Sequence, residues 1–325
     1  MEYSSQVLQV QEEQAVNKTL LQQTAIIIVN YNTPLLTTEA VKSLIQQENK
    51  ITIIVVDNCS SDNSKELLSN EFSNISSVHL IFAEKNYGFA IGNNIGIDYA
   101  KKLGTINFIG IMNPDIKVSA ATISALTTVL AAHSEIGLIT AKTYFNGTAA
   151  NPNVCAWRTP SLSNLLFACT IPAFVWSRLL RKFNKVYDGR THYSDEYYSG
   201  KKIAYVDVVQ GCFFMCTLET MDKIDNFDEG TFLYNEEDIL ACRIKSINKT
   251  NAVLTNEYIY HNHQIKDKSL MNVENKIFAI TCTHNSRQYF INKYCNYSNF
   301  IKKLLFAFFD IDCKIRIKAV KLLYK

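Results

Sequence analysis

Six short polar clusters carry the side chains able to do chemistry. They are Asn30-Tyr31-Asn32, Asp57-Asn58, Asn86-Tyr87-Gly88 with Phe89 and Asn93 behind it, Asn113-Pro114-Asp115, Glu236-Glu237-Asp238, and His261 with His263. Carboxylates and imidazoles in such clusters can hold a divalent cation or take a proton from an attacking hydroxyl, and amides can read the polar edges of a nucleoside. The same residue types also make ordinary turns and helix N-caps. Position favours the chemical reading, because each of the first four clusters closes a different run of the chain. Four unrelated turns have no reason to share one chemistry.

The elements that must position these clusters are legible as alternating runs. Thr24–Asn30, Ile51–Val56, Val78–Ala83 and Ile106–Met112 are rich in β-branched and other apolar residues and predict strands buried on both faces. Between them, 35–47, 64–72 and 90–103 place apolar residues at helical spacing. Strand and helix in alternation predict an α/β fold with a mostly parallel sheet and helices on both faces, whose ligands bind beyond the C-terminal strand ends. The pattern continues with a helix over 120–133 and a short strand over 137–141. An irregular stretch over 146–205 follows, then a strand over 204–217, a helix from Asn235 or Glu236 to Ile247, a strand over 252–260, and helices over 270–294 and 300–324.

Composition removes several classes of function. The 325 residues are 47% hydrophobic and 19% charged, which excludes a fibre or a disulfide-stapled miniprotein. With 33 basic against 30 acidic residues the chain is nearly neutral, and no nucleic-acid partner is expected. Neither GxxxxGK[ST] nor a GxGxxG after the first strand is present, which argues against a P-loop NTPase and a dinucleotide dehydrogenase. Nine cysteines without a CxxC pair fit core thiols in a reducing compartment, so a cytoplasmic location is expected. The polar first 23 residues do not read as a signal peptide, and the longest apolar run, 165–176, is too short to span a bilayer and carries Pro172.

Taken together, Val29-Asn30-Tyr31-Asn32, Val55 to Asp62, Asn86 to Asn94 and Asn113-Pro114-Asp115 resemble the family 2 glycosyltransferases. Gln210-Gly211-Cys212-Phe213-Phe214, Phe232 to Asp238 and Tyr260-His261-Asn262-His263 continue that resemblance, which is nearest to the rhamnosyltransferase-like branch of bacterial polysaccharide biosynthesis. It implies a GT-A fold over 24–265, with a nucleotide-binding half at 24–118 and an acceptor-binding half at 119–265. A polar segment, 1–23, would precede it and a helical extension, 266–325, would follow. It also implies an inverting, metal-dependent transfer from a nucleotide-diphosphate sugar to an acceptor hydroxyl.

By that resemblance Asn30, Tyr31, Asn32, Asp57, Asn58, Asn86, Gly88, Phe89, Asn93, Asn113, Asp115 and Gly211 contact the nucleotide sugar, and Asp57 accepts from the base or ribose. Asp115 binds Mg2+ or Mn2+ on the diphosphate, with Asn113 standing where the family's Asp-x-Asp motif has its first carboxylate. His263, or failing that His261, completes the coordination. The base is Glu237, with Glu236 and then Asp238 as alternatives. Gly211 would let the sugar approach the backbone. Phe213, Phe214, Trp157 and Arg158 would line its pocket, although an apolar core strand explains the two phenylalanines equally well.

The residues from 301 to 325 hold seven basic and two acidic side chains among regularly spaced apolar ones. This pattern fits a basic amphipathic helix on the inner face of the cytoplasmic membrane, or an ordinary helix docked on the body. The membrane reading suits the polyprenyl-diphosphate-linked glycan acceptors that the resemblance implies. For the donor, dTDP-rhamnose, a UDP-hexose and UDP-galactofuranose stay open. A nucleotide-binding scaffold without turnover also stays open, given Asn113 and the glutamate at 237.

Overall fold

The computed structural model describes residues 15–16, 18–47, 51–145, 152–167, 170–171, 175, 191–262 and 272–323. Its centre is a nine-stranded sheet. The first half alternates as expected: β1 (Thr24–Asn30), α1 (Pro34–Ile45), β2 (Thr52–Asp57), α2 (Ser64–Phe72), β3 (Val78–Phe82), α3 (Gly88–Leu103) and β4 (Phe108–Met112). These four strands lie in the order β3-β2-β1-β4, all parallel, with Asn30 level with Asp57 and Asp57 level with Phe82. Their polar clusters therefore end at one edge. Pro34 starts α1, where its missing N–H costs no helical bond and its fixed φ suits the first turn.

The second half is less regular than the parallel sheet expected. Asn113-Pro114-Asp115 is followed at once by a three-residue strand, β5 (Ile116–Val118), then α4 (Ala120–Ala132), whose first turn is capped by the Ser119 hydroxyl accepting from the Thr122 N–H. β6 (Ile136–Phe145) is twice the length expected. β7 (Ala156–Trp157), α5 (Leu162–Phe167), α6 (Asp195–Tyr198), β8 (Ile203–Val206), β9 (Val208–Val209), β10 (Phe213–Thr217) and α7 (Leu218–Lys223) follow. Then come α8 (Glu236–Ser246), β11 (Thr250–His261), α9 (Val273–Tyr294) and α10 (Asn299–Leu323). β10 enters antiparallel between β4 and β6, and β11 runs parallel to β6 while pairing antiparallel with β5 and β8. The sheet is thus parallel under the first four clusters and mixed beyond them.

Alternation along the buried strands supplies a core on each face. Ile26, Ile28, Val55 and Phe213 pack with α1 and α4 on one side, and Ala25, Ile27, Val56 and Phe214 pack with α3 and α8 on the other. Phe213 and Phe214 are therefore core residues of opposite faces, not the wall of a sugar pocket. A third cluster joins Ile239 of α8 to Phe290 and Ile291 of α9 and to Leu305 and Phe309 of α10, fastening the C-terminal helices to the body. Asp228 reinforces the joint, accepting from Lys293 and from the hydroxyls of Tyr289 and Tyr294. Burial pushes its carboxyl up, but these bonds outweigh burial and hold it below the ordinary carboxylate range. Among the described residues no helix is long and apolar enough to cross a membrane.

Candidate active site

The loops after β1 and β2 are tied together from within. Asn30 is fully buried: its Nδ2 donates to Asp57 Oδ2 and Ser60 Oγ, both at 3.1 Å, and its Oδ1 accepts from Thr37 at 2.7 Å and Thr33 at 3.2 Å. Asp57 is also buried, and its Oδ1 accepts the Ser60 N–H at 2.9 Å. Both side chains, expected at the nucleotide, face each other instead. Asn32 adopts a left-handed backbone, which asparagine tolerates, and accepts from the Ser61 N–H at 2.8 Å.

Asn58 makes the next latch, donating to Asn86 Oδ1 and the Gly88 carbonyl and accepting from the Tyr87 N–H. Gly88 has φ +84°, and a Cβ there would run into the Phe232 carbonyl, which accepts the Phe89 N–H at 2.9 Å. Asn93 is buried inside α3 and donates to the Phe89 carbonyl. Contrary to expectation it does not line the cleft, because its amide is turned back onto the helix's own first turn.

A cleft of about 780 Å3 lies over these loops. Tyr31, Asn58, Asn86, Gly88, Phe89, Asn113 and Asp115 line it, drawn from the ends of four strands as the rule for such sheets requires. Phe232 and Leu233 from the loop before α8, and Glu274, Asn275 and Phe278 from α9, close the far wall. Phe232 and Leu233 open the motif over 232–238, whereas Glu274, Asn275 and Phe278 carry no local signal of this position, because only packing brings α9 over the strand ends.

Asp115 is positioned by the short strand that follows it. β5 pairs with the end of β11 so that Ile116 lies opposite His261, and the Asn262 N–H donates to the Asp115 carbonyl at 2.8 Å. The His261 Nε2 then stands 3.0 Å from Asp115 Oδ2. His263, the first choice for the metal, lies outside the described residues. Among the described residues no three His, Cys, Asp or Glu side chains gather as a metal cage. The Asp115–His261 pair still fits Mg2+ or Mn2+ on a diphosphate, since these ions bind through one or two carboxylates plus substrate phosphates and an imidazole suits Mn2+.

The three acids at the start of α8 have three fates, set by the left-handed Asn235 that turns the chain into the helix. Asp238 is buried and accepts from Trp157 Nε1 at 3.0 Å and Asn235 Nδ2 at 3.1 Å, a structural role that leaves it poorly placed as a base. Trp157 is buried in that bond and Arg158 lies over the Tyr193 ring, so neither lines the cleft. Glu236 is buried with Oε1 unbonded, and burial, then the charge of Glu237, pushes its carboxyl up to about 8. Glu237 is partly exposed and accepts the Gly211 N–H at 3.3 Å.

Gly211 has a different use from the one expected. A Cβ there would stand 2.8 Å from Glu237 Oε1, so the missing side chain makes room for the carboxylate rather than for a sugar. The adjoining Cys212 carbonyl accepts the Asn113 N–H at 2.9 Å, which joins the Glu237 turn to the Asp115 turn. The Cys212 thiol records both neighbours: burial first, then the charges of Asp115 and Glu237, push it above the ordinary thiol range. The arrangement sets His261 beside Asp115, which lines the cleft, and ties the turn that carries Asp115 to the turn that holds the partly exposed Glu237.

Comparison with known proteins bears on the family and the fold. Residues 25–163 match the family model described as glycosyl transferase family 2. The low-salt glycan biosynthesis hexosyltransferase Agl10 of Haloferax volcanii is 30% identical over 115 residues, 35% of this chain, and the match spans only 34% of that relative. Among solved structures, the Pyrobaculum calidifontis mannosyltransferase PcManGT with GDP-Man and Mn2+ superposes with a TM-score of 0.54 at 12% identity, over 92% of this chain and 73% of that one. GalNAc-T7 with UDP, GalNAc and Mn2+ gives 0.57 at 13% identity, over 91% and 57%. S. aureus TarS 1-349 gives 0.50 at 14% identity, over 88% and 70%. At such identities the likeness is one of fold, and the fold is GT-A.

Proposed function

With residues 25–163 a glycosyl transferase family 2 domain, we propose that this chain transfers a hexose from a nucleotide-diphosphate donor to an acceptor hydroxyl, with inversion at the anomeric carbon. The observation that carries this reading is the convergence of the Asp115–His261 pair and Glu237 on the joined turns at 113 and 211. The nucleoside lies in the cleft between Tyr31 and Asn58 to Gly88. Asp115 and His261 would hold Mg2+ or Mn2+ on the diphosphate, and the ion would offset the charge that builds on the departing nucleoside diphosphate. Glu237 takes the proton of the acceptor hydroxyl as its oxygen attacks, so no covalent intermediate is needed. Burial, then the charge of Glu237, raises the Glu236 carboxyl and favours its protonated form, which suits it less well to take a proton.

The motif resemblance supports dTDP-rhamnose as the first donor to try and a lipid-linked glycan as acceptor, with UDP-hexose and UDP-galactofuranose as alternative donors. The outer face of α10 supports a membrane surface as partner. Phe300, Leu304, Ile311, Ile315 and Leu322 form an exposed stripe there, edged by Lys303, Lys314, Lys318 and Lys321. Co-sedimentation with vesicles of anionic but not neutral lipid tests that contact, and equal recovery with both would refute it. The activity itself is tested by offering a panel of nucleotide sugars with Mg2+ or Mn2+ and a membrane extract. Release of nucleoside diphosphate from one of them is expected, and release from none would overturn the reading.

A further inference from the structure

We infer that the first turn of α9, with Phe232 opposite, is a recognition wall for the donor hexose: Phe232 and Phe278 take the apolar face of the sugar ring, while Glu274 and Asn275 bond its hydroxyls. This rests on the transferase reading and adds what selects the sugar. The two rings meet edge to face, with centroids 5.6 Å apart, yet Phe232 is 37% and Phe278 50% exposed. Rings packed for stability alone lie deeper, as Phe213 and Phe290 do. These two open on the cleft.

The wall is fixed from both sides. The Phe232 carbonyl accepts the Phe89 N–H at 2.9 Å, and the next carbonyl, Leu233, accepts from Ser286 of α9 at 2.8 Å. Asn272 caps α9 by accepting the Asn275 N–H at 2.8 Å. A contact surface held this way loses little freedom when a ligand arrives.

Its chemistry suits a pyranose better than the rest of the donor. A sugar offers a C–H face that aromatic rings cover and a rim of hydroxyls that a carboxylate and an amide can bond. The Glu274 carboxylate would repel a diphosphate but accept from hydroxyls. The nucleoside has its own wall at Tyr31, Asn58 and Asn86, and Phe232 lies five residues before Glu237, at the end of the cleft where transfer is proposed. None of the four wall residues falls within the 25–163 match.

Calorimetry on the full chain with Mn2+ tests this. UDP is compared with UDP-glucose, dTDP with dTDP-rhamnose, and GDP with GDP-mannose, for the parent and for Phe278→Ala and Glu274→Gln. In the pair the parent binds, both variants are expected to weaken the sugar nucleotide about tenfold, since aromatic and charge-assisted contacts are of that size. Binding of the free nucleoside diphosphate should stay unchanged, which also shows that the variants are folded. Unchanged binding of both ligands, or an equal loss for both, would overturn the wall while leaving the transferase reading intact. A parent chain that binds none of the six would remove that reading and the wall with it.

Discussion

The loops after β1 and β2, under the cleft, and the first turn of α8, joined to the Asp115 turn through Gly211 and Cys212, both gather polar side chains, but they use them in opposite ways. Asn30, Asp57 and Asn58 direct their hydrogen bonds at one another and at neighbouring side chains and backbone, and of the three only Asn58 also lines the cleft. At α8, Asp238 is satisfied, whereas Glu236 is buried with an unbonded oxygen and Glu237 is held by one long bond from Gly211. In the proposed reading, the first region holds Tyr31 and the loop backbone in place for the nucleoside. The second keeps a poorly compensated carboxylate pair, and such groups persist where they serve chemistry.

The largest effect expected from this contrast is on turnover. Glu237→Gln keeps the shape and the Gly211 contact surface but removes the proton acceptor, so kcat should fall about 1,000-fold, within the range for loss of a general base. Donor binding should be unchanged. Turnover at the parent rate, measured as nucleoside diphosphate release, would move the base elsewhere, with Glu236 next to be tested.

A change of the opposite kind is expected from Asn30→Ala. It strands Asp57 Oδ2 and the Thr37 hydroxyl in a buried site, and leaving buried groups unbonded costs about 2–4 kcal/mol. Thermal unfolding should show the loss directly. Should Asn30→Ala keep the parent Tm but abolish nucleotide binding, Asn30 would be a ligand contact and the contrast between the two regions would fail.

The first four strands are legible in the sequence because β-branched runs bounded by polar turns have few other readings. The polar clusters were found for the same reason. Their division of labour was not legible, since Asn30 and Asp57 look like ligand contacts until pairing sets them level on adjacent strands. β5 was missed because three residues carry no periodicity, yet it aligns Asp115 with His261. Trp157 and Asp238 are 81 positions apart and Gly211 and Glu237 are 26, and no local pattern encodes either contact. Phe278 carries no local signal for a related reason, being one aromatic in a helix whose register over the cleft is set by packing against α8 and α10.

The smallest effect predicted, and the one that sharpens the contrast furthest, concerns Glu236. Burial and the charge of Glu237 raise its folded carboxyl above the unfolded value of 4.5, to about 8. A raised folded value means that the contribution to stability is complete below about pH 4.5 and is lost as pH rises through about 8. Glu236→Gln cannot ionise, so it should match the parent near pH 4.5 and exceed it near pH 8, by on the order of 1–3 kcal/mol in unfolding free energy. Part of the rise comes from the neighbouring charge, so in a Glu237→Gln background the stabilisation gained by Glu236→Gln at pH 8 should shrink. That coupling is read from the four Tm curves of a double-mutant cycle. Additive curves would mean that the two carboxylates do not sense each other, and that Glu236 is held neutral by burial alone.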